Sequence, residues 1–240
     1  MSQLFKIPEP VSRASQADKI YRILEEHLKE NLEGKRILEI GCGSGEISVH
    51  LSKRSAFVWG IEIDPLALFK ESYTESSNFA LSLSDGRHLP FADESIDIII
   101  LPQVYEHIKE QKALISGMFR VLEPGGVCFF SGPNRWQIIE PHYFLPFLSW
   151  LPHKLADIYL RISGRGKCFD VYPRSYWGIK RLLRQFKVID YTWHIIKEPE
   201  KYGLSSSSLI IKVMKRLPDS LLKLLRPVYT NYNWILVKKD

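Results

Sequence analysis

The chain has 240 residues, 45% of them hydrophobic, enough to bury one full α/β core as a single domain with insertions. Its three cysteines, Cys42, Cys128 and Cys168, are odd in number and lack metal-ligand spacing, which argues against a disulfide framework and for reduced thiols in a cytoplasm. The net charge of +6 conceals a split. Residues 1–133 carry 14 Lys and Arg against 19 Asp and Glu, whereas residues 134–240 carry 19 against 8. Either the second half faces something anionic, such as phosphate, a membrane surface or RNA, or it is a solvated basic face. The segment Met1 to Arg13 is charged, contains two prolines and lacks the apolar core of a secretory peptide.

In chain order, the first helix is predicted to start at Ser15, with Asp18 completing a capping box and Ile20, Ile23, Leu24 and Leu28 on one face. Short apolar runs at Arg36 to Ile40, Phe57 to Glu62, Phe79 to Leu83, Ile96 to Leu101 and Val127 to Ser131 read as buried strands. Helical stretches separate them at Glu46 to Arg54, Pro65 to Ser76 and Glu106 to Leu122, the last stopped by Glu123-Pro124-Gly125-Gly126. Asp64 before Pro65 is placed to cap its helix. This alternation dictates right-handed crossovers and a mostly parallel sheet. Two later runs, Lys187 to His194 and Trp234 to Val237, are placed to finish the sheet. Residues 15–132 thus form a core, and residues 133–172 and 197–231 form two insertions, candidates for a lid over a site.

The most informative stretch is Glu39-Ile40-Gly41-Cys42-Gly43-Ser44-Gly45-Glu46, where a buried strand runs into three glycines and then a helix. Glycine permits positive φ and close backbone approach to a ligand. A dinucleotide fingerprint would place its third glycine one residue later, on the helix. Here that position is Glu46, whose carboxylate would repel a pyrophosphate but not a sulfonium.

This stretch resembles the first motif of class I S-adenosylmethionine-dependent methyltransferases, and the resemblance extends from Glu25 to Ser131. It implies a Rossmann-like, doubly wound, seven-stranded sheet with an antiparallel last strand, together with two helical lid insertions. It further implies that S-adenosylmethionine is the cofactor and S-adenosylhomocysteine the product. The implied cofactor residues are Glu39, Gly41, Cys42, Gly43, Gly45, Glu62, Ile63, Asp85, Gly86, Leu101 and Gln103, with Glu62 on the ribose hydroxyls and Asp85-Gly86 at the adenine. The turn from Leu89 to Asp97 also looks like the family's, and Asp97 is expected to hold the glycine loop or a helix end.

A sulfonium methyl is already activated, so proximity and orientation, worth roughly 7–11 kcal/mol, are the main demand. A base is needed only for a protonated acceptor. The segment Gln103-Val104-Tyr105-Glu106-His107 resembles one in quinone-pathway O-methyltransferases where Glu-x-x-Glu-His is implied to hold a divalent cation. Gln103 replaces the first acidic residue, and no metal is expected. His107 is the candidate catalytic base, or else it packs the following helix. Tyr105, His142, Tyr143, Asp170 and Tyr172 are candidate acceptor contacts, or else they fix the first insertion to the core.

Pro146, Pro152, Lys154, Asp157 and Arg161 rule out residues 144–162 as a membrane span. Aromatics and leucines beside Arg161, Arg165 and Lys167 instead suit an interfacial helix, and Leu209 to Arg226 repeats the pattern. The acceptor is therefore expected to be a hydrophobic or lipid-linked molecule of envelope or glycolipid type, with peripheral contact at the inner face of the membrane. A soluble small molecule is the alternative, followed by RNA, which no recognised module supports; DNA is not expected. Different in kind are a nicotinamide oxidoreductase, disfavoured by Glu46, and a non-catalytic membrane-surface protein.

Overall fold

The computed structural model describes residues 12–55, 57–68, 78–205 and 209–239. In chain order the first half holds helix α1 (Arg13–Leu28), strand β1 (Arg36–Ile40), α2 (Glu46–Ser52), β2 (Phe57–Glu62), α3 (Pro65–Leu68), β3 (Phe79–Leu83), β4 (Ile96–Pro102), α4 (Gln111–Val121) and β5 (Leu122–Pro133). The second half adds the short strands β6 (Ile139–Glu140) and β7 (Leu145–Pro146), then α5 (His153–Ile162), α6 (Tyr176–Leu182), β8 (Phe186–Asp190), α7 (Thr192–Lys197), α8 (Leu209–Lys215), α9 (Asp219–Leu224) and β9 (Asn231–Lys238).

Seven strands form one sheet in the order β3-β2-β1-β4-β5-β9-β8. β9 runs against both its neighbours, β5 and β8, while the pairs from β3 to β5 are parallel. Because successive side chains on a strand point to opposite faces, the apolar strands feed two cores at once. Leu38, Ile99 and Phe130 pack with Leu114 and Met118 of α4 on one face. Ile37, Ile98 and Phe129 pack with Ile20 and Leu24 of α1 and with Ile47 and Leu51 of α2 on the other. Crossovers in a parallel sheet leave the loops after β1, β2, β3 and β4 at one end, where the site lies.

Several local expectations are corrected. Ser12, not Ser15, caps α1, its hydroxyl accepting from Ser15 N at 3.2 Å. Asp18 instead meets His50 Nε2 at 2.9 Å and Arg54 at 3.1 Å, so a contact between helices replaces the capping box. Asp97 does not hold the glycine loop or a helix end. Its carboxylate accepts from the Arg36 backbone N at 2.7 Å and from the Arg36 guanidinium, which also pairs with Glu123, and so clamps the start of β1. The helix read from Glu106 splits into a 3-10 turn at Tyr105–His107 and then α4. The run Lys187 to His194 ends as a strand at Asp190, whose side chain accepts from Thr192 N and opens α7. Asp64 does cap α3, accepting from Leu66 N at 2.9 Å. The predicted continuation of that helix beyond residue 68 lies outside the described residues, as does most of the Ser205–Ser208 loop.

The two insertions behave differently. The first builds the β6–β7 hairpin and α5 around its own small core of Leu145, Leu148, Ala156, Leu160, Phe169 and Val171. The second packs α8 and α9 against α7, where Lys197 Nζ donates to the carbonyls of Lys215 and Leu217 and pairs with Asp219 at 3.1 Å.

Glu39, on β1 behind the glycine loop, is buried and accepts from Ser48 Oγ at 2.5 Å; burial pushes its carboxyl up to about 8. A carboxyl raised in the folded state favours folding most when the unfolded chain is also protonated. Its contribution is lost as pH rises from the ordinary carboxylate range towards 8. Relative to Glu39→Gln, the wild-type chain should lose up to about 1.4 kcal/mol of stability per pH unit over that window. Denaturant unfolding of both proteins at pH 5, 6.5 and 8 measures this, and parallel pH curves would refute a buried neutral Glu39.

Candidate active site

At the end of β1 the chain must turn sharply into α2. Gly41 has φ 72° and donates its N–H to Ile61 O at 2.8 Å, and a Cβ there would lie 2.5 Å from a Val104 methyl carbon. Gly43 has φ 57° and faces open space, so its conformation is what requires glycine. The Glu62 carboxylate at the end of β2 ties this turn down. It accepts from Gly43 N at 2.9 Å, Ile63 N at 2.8 Å and Asp64 N at 3.0 Å.

Beside this loop opens a cavity of about 640 Å³. Of the sequence-predicted cofactor residues, Gly41, Gly43, Glu62, Ile63, Asp85, Gly86 and Gln103 line it. Glu39 and Leu101 do not, being buried in the core, and neither does Gly45, which caps α2. Cys42 is also turned away; burial pushes its thiol up, far from a reactive thiolate. Of the residues predicted for catalysis and acceptor contact, His107, Asp170 and Tyr172 line the cavity, whereas Tyr105, His142 and Tyr143 do not. Residues 197–231, expected as part of the lid, supply none of the lining among the described residues.

Sequence reasoning missed three cations that line the cavity, Arg13, Arg87 and Lys109. Arg13, at the start of α1, reaches the cavity wall, a placement that no local pattern announces. Arg87 grips Asp85 with Nε at 2.9 Å and Nη2 at 2.7 Å and holds its carboxyl below the ordinary carboxylate range, while also pairing with Glu110 at 2.9 Å. Asp85 Oδ1 also accepts from the Arg87 backbone N at 2.9 Å. Gln103 adopts φ 58°, uncommon for a side-chain-bearing residue, and its amide donates to Asn231 Oδ1 at 3.0 Å and Ser131 Oγ at 3.3 Å.

The residues predicted to contact an acceptor lie on the 3-10 turn and in the first insertion. Tyr105 is fully buried and donates its hydroxyl to Pro133 O at 2.5 Å, and Tyr172 N donates to Glu106 O at 2.6 Å. Tyr143 OH donates to Asp170 Oδ1 at 2.7 Å, so these two fix the insertion to itself. Glu140 is buried; one carboxylate oxygen lies 2.6 Å from His142 Nδ1, and the other accepts from the backbone N of His142 and Tyr143. The His142 and His107 rings meet edge to face at 4.8 Å. Close to both, Glu106 is fully buried, and neither of its carboxylate oxygens has a hydrogen-bond partner among the described residues. Burial pushes Glu106 up to about 7 and His107 down, while Glu140 raises His142.

Residues 38–130 match the profile of the Methyltransferase domain family. A protein of Hahella chejuensis named ubiquinone biosynthesis O-methyltransferase is 33% identical over 185 residues, which cover 69% of this chain and 78% of that one. A protein of the same name from Psychrobacter cryohalolentis is 30% identical over 138 residues, 52% of this chain; against it and others like it the chain spans about half the relative's length. In fold the chain is similar to an S-adenosylmethionine-dependent methyltransferase from Mesorhizobium loti, with a TM-score of 0.56 at 14% identity, covering 90% of this chain and 96% of that one. Its likeness to a curated relative across most of that relative's length, on a sheet of matching topology, makes the chain a member of the class I S-adenosylmethionine-dependent methyltransferases.

Proposed function

We propose that the chain transfers the methyl group of S-adenosylmethionine to a hydroxyl on a hydrophobic, lipid-type acceptor. The observation that carries this reading is one cavity lined by two chemically distinct sets of residues: the glycine loop, Glu62 and Asp85, and with them His107, Asp170 and Tyr172. Glu62 and Asp85 offer acceptor oxygens to ribose hydroxyls and an adenine amino group, and Arg87 and Asp64 keep these carboxylates oriented. Glu46 sits in the first turn of α2, where a pyrophosphate would need a free helix end. The donor needs no activation, so holding methyl and acceptor in line supplies most of the rate. His107 is the group we place at the accepting oxygen.

The lipid-type acceptor is supported by the surface of the first insertion. Phe144 and Phe147 project from the β6–β7 hairpin, and Trp150 and Trp136 stand beside it, all at least 40% exposed. On α5, Leu155, Ile158 and Ile162 recur on one face with 53%, 47% and 81% exposure, and Lys154 and Arg161 lie on the same helix. An apolar stripe beside cations fits an anionic membrane interface. No helix among the described residues is long and apolar enough to cross a membrane. The relatives' names add a quinone as the class of molecule to consider.

The test uses methyl-labelled S-adenosylmethionine, purified protein and a whole-cell extract, with label partitioned between organic phase, RNA, protein and small solutes. Label is expected in the organic phase; label confined to aqueous solutes or RNA would overturn the lipid reading. Glu62→Ala should weaken cofactor binding at least tenfold by calorimetry, and unchanged affinity would remove Glu62 from the site. His107→Ala should lower turnover at least a hundredfold with cofactor affinity intact, whereas activity within a few-fold of wild type would end its role. For the surface, Phe147→Ser with Ile162→Ser should abolish co-sedimentation with phosphatidylglycerol vesicles. Equal sedimentation of variant and wild type would separate the insertion from membranes.

A further inference from the structure

A second cavity, of about 290 Å³, shares Lys109 and Tyr172 with the larger one. Three cations line it, Lys109, Arg135 and Arg174, and no acidic side chain does. Like charges gathered without a counter-charge repel one another, the more so where water is partly excluded. Elsewhere in this chain the half-buried Arg36, Arg87, Lys197 and Arg226 each pair with a carboxylate. Arg135 and Arg174 are half-buried too, but among the described residues neither they nor the exposed Lys109 has an acidic partner. We propose that this cavity binds a terminal phosphoryl group, that of a phosphate monoester or a diphosphate, and that the methyl acceptor carries it.

The cations come from separate segments, and the fold fixes two of them before any ligand arrives. Arg135 follows β5 and Arg174 follows the first insertion; the Arg135 backbone N donates to Arg174 O at 3.0 Å, which sets the two side by side. Buried Gln111 then aims the Arg174 guanidinium. Its Nε2 donates to Tyr105 O at 3.0 Å and to Tyr172 O at 2.9 Å, which leaves Oε1 to accept from Arg174 Nε. The two terminal nitrogens of Arg174 have no partner among the described residues and form a fork open to two oxygens. Arg135 Nε donates to Ser149 O at 3.1 Å, and its guanidinium stands 5.6 Å from the centre of the Trp136 ring.

The charge count selects the ligand. A carboxylate or a phosphodiester would bring one negative charge to three cations. A phosphate monoester brings about 1.5 to 2 at neutral pH on three strong acceptor oxygens, and a diphosphate brings more. Planar guanidinium forks match phosphate oxygens, and a lysine adds a point charge. Because Lys109 and Tyr172 line both cavities, an acceptor held here by its phosphoryl group extends into the space that His107 lines. Trp136, also in the lining and 46% exposed, offers an apolar surface to the rest of such a molecule. That use rests on the methyl-transfer reading above; anion binding does not.

The full chain is titrated with inorganic diphosphate by calorimetry at low and at moderate salt. We expect about one equivalent bound, more weakly as salt rises. Arg135→Gln and Arg174→Gln should each weaken binding at least tenfold, and Lys109→Gln about threefold. Lys53→Gln, at an exposed residue outside the cavity, should bind as wild type does. Thermal unfolding without the anion shows whether each variant is folded, and Lys109→Gln, at an exposed side chain, decides the matter if Arg174→Gln is not. Failure of the wild type to bind millimolar diphosphate, or wild-type affinity in folded Arg135→Gln and Lys109→Gln, would refute the site. In the labelled-methyl assay, phosphatase treatment of the extract should lower incorporation several-fold. The label so lost comes from the organic phase if a lipid carries the phosphoryl group and from the aqueous phase if a soluble ester does. Undiminished incorporation would show that the acceptor carries no such group. No incorporation from any extract would count against the methyl-transfer reading, while the diphosphate titration still decides the site.

Discussion

Three backbone N–H groups, from Gly43, Ile63 and Asp64, converge on the Glu62 carboxylate, and the working end of the molecule depends on that convergence. The turn after β1 has Gly41, Gly43 and Gly45 all at positive φ, which gives it little intrinsic preference for one shape. The carboxylate from the neighbouring strand selects one. It joins the ends of β1 and β2, two strands held in parallel register from Arg36↔Phe57 to Ile40↔Ile61. A parallel sheet with crossovers on both faces leaves its carboxyl-end loops together, so a cavity at that edge follows from topology. The carboxylate itself lies in the cavity wall, beside the glycine loop that it holds.

A second constraint shapes the other end. The 3-10 turn Tyr105–His107 inserts Tyr105 into the core, where its hydroxyl finds Pro133 O, and this forces the adjacent Glu106 inward. The first insertion then closes over the turn through Tyr172 N on Glu106 O and through the Glu140–His142 pair. Its small separate core lets it hold this position without covering its outer surface. Two polarities result: an inner side carrying imidazoles and carboxylates, and an outer side carrying Phe144, Phe147 and Ile162.

The two insertions also show that similar composition does not imply similar placement. Both are basic and apolar, but the second packs on α7, where the Lys197 ammonium is held by the Lys215 and Leu217 carbonyls and by Asp219. Its basic character is thus partly structural, and the charge split between the halves is not by itself the mark of a ligand.

What the sequence determined was whatever depends on neighbours along the chain. Apolar runs bounded by glycine gave the strands, because burial on both sheet faces needs continuous hydrophobicity; the spacing of Gly41, Gly43 and Gly45, with Glu46 after them, distinguished this loop from a dinucleotide fingerprint. What depends on distant partners was decided only by the tertiary structure. Asp18 reads as a capping residue until α2 brings His50 beside it, and Asp97 meets Arg36 only because β1 and β4 pair. Glu39, Leu101 and Tyr105 carry the chemistry of site residues but point into the core. Arg13 reaches the cavity from the start of α1, and His142 reaches Glu106 from the first insertion, across sequence distances that no local pattern spans. Hydrophobic periodicity is read over a few residues, whereas a charge or a ligand set is completed by whichever chain segments the packed core brings within a few ångströms.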